Sequence, residues 1–282
     1  MAQTRPASTA TPPTVRRQPT LVGELLAEFS GTAVLILFGV GVVAQVVAGQ
    51  NGGADSIHWA WGLGVTFGIY VAGRTTGAHL NPAVTIALAV YKGFAWRKVL
   101  PYAVAQFLGA FAAALLVRWV YADAIATVDP GTTAETQGIF STLPGTGVSI
   151  GTAFLDQVVG TAILVFVIFA ISELRATPPG ANMAPFIVGL LVVGIGMAWG
   201  SNAGYAINPA RDFGPRVASF LTGYSTAMRE PVGQQFYFWV PIVAPVIGAL
   251  VGGGLYRVLV ERHLPDEDAQ DQPAGRVPSE DD

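Results

Sequence analysis

Two apolar stretches of this chain are interrupted in the same way by the same three residues. Gly77-Ala78-His79-Leu80-Asn81-Pro82-Ala83 and Gly204-Tyr205-Ala206-Ile207-Asn208-Pro209-Ala210-Arg211 each hold an Asn-Pro-Ala triplet, with a glycine four residues before the asparagine. Asparagine is a favoured helix N-cap and proline a favoured first helical residue, so each triplet predicts a helix start. A helix start exposes N–H groups that lack intrahelical partners and carries roughly +0.5 of an elementary charge. Inside an apolar protein such an end must face a polar passage or another polar group. Two of them in one chain leave few folds open.

The surroundings are indeed apolar. Of the 282 residues 52% are hydrophobic and 12% charged, about half the charged share of a soluble domain, and the mean hydropathy is +0.51. Apolar runs near the 20-residue length of a membrane-spanning helix recur along the chain. Spans are predicted over about 21–48, 57–72, 99–121, 148–172, 183–199 and 236–260. The stretches that start at the triplets, 81–90 and 208–221, are too short to cross. A short helix that turns back is tolerated only where protein or a water-filled cavity surrounds it. The 34 glycines suit helices that approach closely in lipid.

The net charge of −3 offers nothing to a nucleic acid. With no cysteine, disulfides and thiolate metal sites are excluded. Neither a metal cluster nor a nucleophile–base pair stands in the spans, so neither an enzyme nor a resident cofactor is expected. Residues 1–19, rich in Thr, Pro, Ala and Arg, read as a disordered leader, and 263–282 as a disordered acidic tail. Between them lies one membrane unit over 20–262.

That unit repeats itself. Asn208 follows Asn81 at an offset of 127 (208 − 81), Gly189-Leu190 follows Gly62-Leu63 at the same offset, and Gly160-Thr161-Ala162 echoes Gly31-Thr32-Ala33. Each half, about 20–121 and 148–262, holds three spans and one short helix. An odd number of spans inverts the second half relative to the first. The two short helices then enter from opposite faces with their positive ends together. Arg5, Arg16 and Arg17 before the first span favour a cytoplasmic N-terminus. With six spans the C-terminus lies on the same side, in the cell's inner membrane. Arg74, Lys92, Arg97, Lys98, Arg175, Arg257 and Arg262 fit that topology, whereas Arg118 and Arg229 fall outside.

At each triplet the asparagine oxygen can accept from its own helix, leaving the NH₂ of Asn81 and Asn208 to donate into a pore. The loops before them, Gly77, Ala78, His79 and Leu80 in one half and Gly204 and Ala206 in the other, are expected to present a file of carbonyl acceptors. Donors at a waist, acceptors along one wall and apolar side chains opposite suit water or a neutral polyol. The facing dipoles repel cations and protons. Arg211 is too deep for a surface residue and points to a polar path. His79 fits either a satisfied loop or the pore wall. His58 and His263 read as solvent-facing, and Glu24 as a snorkelling or capping residue. Asp156 fits an interhelical contact or the central axis of an oligomer.

These residues resemble the major intrinsic protein, or aquaporin, family over about 20–262, and within it the glycerol facilitator branch. The resemblance implies an all-α membrane protein: a right-handed bundle of six transmembrane helices plus two re-entrant half-helices in an inverted repeat, assembled as a homotetramer in membrane lipid. It implies a passive channel for glycerol, small polyols and water. The family's outer constriction falls, by position relative to the triplets, on Trp61, Gly196, Tyr205 and Arg211. Water-selective members typically carry Phe and His at the first two. The branch's other marks match Asp212, Arg216 and Pro241-Ile242.

Tyr205 stands where many glycerol channels have Phe and is expected to make the slot more polar and slightly tighter. The family's loop-supporting glutamates match Glu28 in the first helix and Gln157 in the fourth, where the amide can bond without burying a charge. A mainly water-selective channel and a coupled secondary transporter, also built from inverted repeats, are the competing readings. Replacing Trp61 and Gly196 together by Phe and His is expected to cut glycerol flux far more than water flux in proteoliposomes. Equal loss of both would contradict the positional reading of the constriction.

Overall fold

The computed structural model describes residues 18–265. Nearly all of the expected leader and tail, with Arg5, Arg16 and Arg17, lies outside the described residues. The described chain is helical: α1 (Leu21–Val47), α2 (Ala54–Thr76), α3 (Pro82–Tyr91), α4 (Trp96–Val120), α5 (Ala122–Val128), α6 (Ala134–Gln137), α7 (Ile150–Ser172), α8 (Ala184–Ala203), α9 (Pro209–Leu221) and α10 (Val240–Leu259), closed by a 3-10 turn over Glu261–His263. Thr20 caps α1 by accepting from Gly23 N–H, and Ser149 caps α7 by accepting from Thr152 N–H. The connection over 122–147, between the third and fourth predicted spans, contains α5 and α6.

Helices α1, α4, α7, α8 and the Val240–His263 segment are long and apolar enough to cross a membrane. The remaining long helix, α2, has 23 residues, but Asp55, Ser56 and His58 at one end and Arg74, Thr75 and Thr76 at the other lower its hydropathy. At 1.5 Å per residue the 10 residues of α3 and the 13 of α9 reach about 15 and 20 Å. Either is too short for a hydrocarbon core of about 30 Å, and end to end they make roughly one crossing.

Packing follows the repeat. α1 lies against α2 and α4 as α7 lies against α8 and α10. Each short helix is held by the last helix of the other half, α3 by α10 and α9 by α4, and α3 meets α9. α2 packs on α8 across the centre, where Gly62 and Gly189 face one another. A Cβ on Gly62 would lie 2.6 Å from Gly189 O, and one on Gly189 would lie 2.6 Å from Gly62 O. Such reciprocity marks a two-fold relation between the halves.

Gly62→Val is expected to force these helices apart and destabilise the fold by about 1–3 kcal/mol. The thermal midpoint in detergent checks this against Gly73→Ala, whose added Cβ meets no atom nearer than 3.8 Å. An unchanged Gly62→Val midpoint would refute the close approach.

Candidate functional site

Where α3 and α9 begin, the two asparagines are bound to each other's loops. Asn81 Oδ1 accepts from Ala83 N–H at 2.9 Å, and Asn208 Oδ1 accepts from Ala210 and Arg211 N–H at 3.0 and 3.2 Å. Asn81 Nδ2 donates to Ile207 O at 2.9 Å, and Asn208 Nδ2 donates to Leu80 O at 2.8 Å. The expectation that each NH₂ is left free is therefore corrected. Because an amide carries two N–H groups, one spans the interface between the halves and one remains.

The loops leading to the triplets run through unusual backbone. Ala78, Leu80, Tyr205 and Ile207 all have positive φ, between 33° and 55°, a region that costs a residue with a side chain on the order of 1–3 kcal/mol. A regular strand points successive carbonyls to opposite sides, and a left-handed residue at every second position interrupts that alternation.

Buried side chains hold these loops in place. Glu28 Oε1 accepts from His79 N–H at 3.0 Å and from the Thr76 hydroxyl at 2.6 Å. Its Oε2 accepts from Leu80 N–H at 2.8 Å and from Gln106 Nε2 at 2.7 Å. In the other half Gln157 Oε1 accepts from Ile207 N–H at 3.0 Å, and its Nε2 donates to Ala203 O at 3.1 Å. Asp156 accepts from Asn202 of α8 at 3.2 Å, an interhelical contact.

A cavity of about 780 Å³ runs past both asparagines. It extends from Trp61, Tyr205 and Arg211 to Arg74, Ser172 and Asn182, about 20 Å measured along α2 from Trp61 to Arg74. One wall is apolar, with Leu35, Val65, Ile69, Val84, Leu164 and Val192 among its residues. The other is made of the two loops: Gly77, Ala78, His79 and Leu80, and Tyr205, Ala206 and Ile207. His79 lines the cavity while its Nδ1 lies 3.1 Å from Thr85 Oγ1 and its ring stacks on Tyr102, so it is both packed and lumenal.

At the Trp61 end the guanidinium of Arg211 lies 3.8 Å from the Trp61 ring centroid and 5.9 Å from that of Tyr205. Its side chain makes no hydrogen bond or ion pair among the described residues, although only 8% of the residue is exposed. Gly196 and Gly204 do not line the cavity. Gly196 stands behind Tyr205: a Cβ there would lie 2.9 Å from Tyr205 Cζ and 2.7 Å from His58 Nδ1. The reading of His58 as solvent-facing is corrected, because its Nδ1 is hydrogen-bonded to the Tyr205 hydroxyl at 3.0 Å. The sequence signal was its place three residues before Trp61, on the same face of α2.

Asp212, Arg216, Pro241 and Ile242 also lie off the cavity. Arg216 and Asp212 form a fully buried pair, Nε to Oδ1 at 2.7 Å. The pair ties α9 to the connection between α6 and α7 and to the loop that follows α9, with Arg216 donating to Thr142 O and Ala227 O and Asp212 accepting from Thr142 N–H and its hydroxyl. Pro241 and Ile242 form the first turn of α10. Glu24 neither caps nor snorkels: it joins α1 to α4 through Lys98 at 2.7 Å and the Tyr102 hydroxyl at 2.9 Å.

A model of the family described as major intrinsic protein matches residues 16–256. The chain is 44% identical over 256 residues to a glycerol uptake facilitator protein of Pseudomonas aeruginosa, covering 88% of this chain and 92% of the relative. It is 43% identical over 244 residues to aquaglyceroporin-2 of Rhizophagus irregularis, covering 84% and 77%. Among solved structures it is similar to the aquaglyceroporin from Plasmodium falciparum, with a TM-score of 0.78 and 32% identity over 86% of this chain and 98% of that one.

Removing one partner of the buried Asp212–Arg216 pair leaves an uncompensated charge, so Asp212→Ala is expected to lose about 3–5 kcal/mol of stability. The double variant Asp212→Leu/Arg216→Met is expected to recover the share due to the unpaired charge but not the bonds to Thr142 and Ala227, read as thermal midpoints in detergent. A single variant as stable as the parent would remove the pair from the fold's framework.

Proposed function

The chain belongs to the major intrinsic protein family, and we propose that it is a passive channel for glycerol and other small uncharged solutes that also passes water and excludes ions and protons. Members of the family are integral membrane transporters, not enzymes. The observation that carries the reading is Arg211, a nearly buried cation without a hydrogen-bond partner among the described residues, on the wall of an otherwise largely apolar cavity. A deep charge with unused donors fits a path along which something else supplies the acceptors.

A polyol meets these needs with hydroxyls along one edge and carbon along the other. At the constriction Arg211 donates to a hydroxyl while the carbon backbone slides over Trp61 and Tyr205, with Gly196 making room for the tyrosine ring. Along the path the carbonyls of Gly77, Ala78, His79, Leu80 and Ala206 accept, and Gly204 supplies the left-handed turn that leads into the second file. At the waist the remaining N–H of Asn81 and of Asn208 donates. Glu28 and Gln157 hold the two files, while Asp212, Arg216, Pro241 and Ile242 belong to the scaffold behind them. Two positive helix ends and a guanidinium on one narrow path oppose cations, protons included.

The working unit is the region over 20–262 in its two repeats. The assembly is a homotetramer in the cell's inner membrane, surrounded by lipid, with one pore per subunit and both termini in the cytoplasm.

Stopped-flow swelling of proteoliposomes with glycerol, urea and water tests the channel. Glycerol flux is expected to rise in proportion to concentration, well above protein-free vesicles, and to ignore an imposed pH gradient. Water flux alone would identify a water-selective pore instead. Saturation at low glycerol, or flux driven by pH, would identify a coupled transporter.

A further inference from the structure

At the constriction the side chain with the most unusual support is Tyr205. Its backbone stands at φ 33°, a strained conformation that persists only where the surroundings fix it. Two things fix it here. Gly196 and Gly200, one turn apart on α8, leave a recess that the tyrosine and His58 fill together: a Cβ on Gly196 would lie 2.7 Å from His58 Nδ1, and one on Gly200 would lie 3.1 Å from Tyr205 Cδ1. The hydroxyl then ends on His58 Nδ1 at 3.0 Å, with the two rings tilted and their centroids 5.4 Å apart.

We propose that His58 is a specificity-determining residue of this pore, which it shapes by holding the Tyr205 hydroxyl back against α8. Trp61 and His58 share a face of α2, so one helix face supplies both the aromatic wall of the slot and the post to which the opposite wall is tied. With the hydroxyl tied, the tyrosine presents its ring to the lumen, as a phenylalanine would. Released, the hydroxyl has unused acceptor and donor capacity on a ring whose centroid lies 5.9 Å from the Arg211 guanidinium, which has donors to spare among the described residues. The tyrosine then turns toward Arg211, takes the donors a polyol needs and narrows the slot. Water, smaller and needing one donor at a time, loses less. The hydrogen bond does not depend on which tautomer His58 adopts, since a hydroxyl can both donate and accept.

The inference rests on the channel reading above, and its test separates the two. Glycerol and water permeabilities are measured in proteoliposomes for the parent, His58→Ala, His58→Leu, His58→Asn, Tyr205→Phe and the double variant His58→Ala/Tyr205→Phe. The glycerol-to-water ratio is expected to fall about fivefold in His58→Ala, the scale set by one net hydrogen bond. It is expected to stay low in His58→Leu, which restores bulk without a hydrogen-bonding atom, and to recover in His58→Asn, whose short amide reaches the same place. In the Tyr205→Phe background the His58→Ala change is expected to have no further effect on the ratio. Recovery with Leu, an undiminished effect in the Tyr205→Phe background, or no effect of His58→Ala would overturn the assignment. Should the parent pass water but no glycerol, the channel's solute reading fails, and the tie is still judged by whether the two substitutions are non-additive in water flux.

Discussion

Two hydrogen bonds hold the centre of this protein: Asn81 Nδ2 to Ile207 O and Asn208 Nδ2 to Leu80 O, at 2.9 and 2.8 Å. Each asparagine caps its own short helix with its oxygen and grips the opposite half with its nitrogen. Like positive helix ends repel, and N–H groups in an apolar interior cost free energy unless partnered. The reciprocal bonds answer both conditions, because each end meets a carbonyl of the other half. The proline beside each asparagine removes one donor that would otherwise need a partner. The half-helix lengths, the glycine contact between α2 and α8 and the crossed docking of α3 on α10 and α9 on α4 are all geometry that lets the two ends meet.

The two halves solve one problem with different chemistry. The loop before Asn81 offers Glu28 two backbone N–H groups and a threonine hydroxyl, and Gln106 adds an amide N–H. Only an acceptor on every side fits four donors, and a carboxylate is that group. The loop before Asn208 offers Gln157 one N–H, from Ile207, and one carbonyl, from Ala203, with the Asp156 carboxylate alongside. A glutamate there would face a carbonyl and a carboxylate, whereas an amide donates to one loop atom and accepts from the other. The departure at 157 follows from its neighbours.

Much of this could be read from the sequence, for reasons that can be named. The apolar runs set the long helices, the triplets set the starts of the short ones, and the offset of 127 joined the halves. What could not be read depended on side chains meeting across the repeat. Each asparagine's cross-bond involves a residue more than a hundred positions away. The Tyr205–His58 pair joins α2 to the loop after α8, so the histidine looked like a solvent-facing residue near a helix end. Glu24 found Lys98 and Tyr102 on α4 for the same reason. The apolar run of α2, 57–72, is shorter than the helix because its ends carry charged and hydroxyl-bearing residues, although Ala54–Thr76 is one continuous helix.

The reciprocal bonds are tested most directly by the thermal midpoints of Asn81→Asp and Asn208→Asp in detergent. Aspartate keeps the cap, since its oxygen still accepts from the first turn, and its charge favours a helix start. It cannot donate across to the other loop and would instead place a carboxylate against a carbonyl. If the cross-bonds hold the two halves together, both substitutions lower the midpoint. If the asparagines are only caps, both leave it unchanged or raise it, and the opposed helix ends are not what the fold depends on.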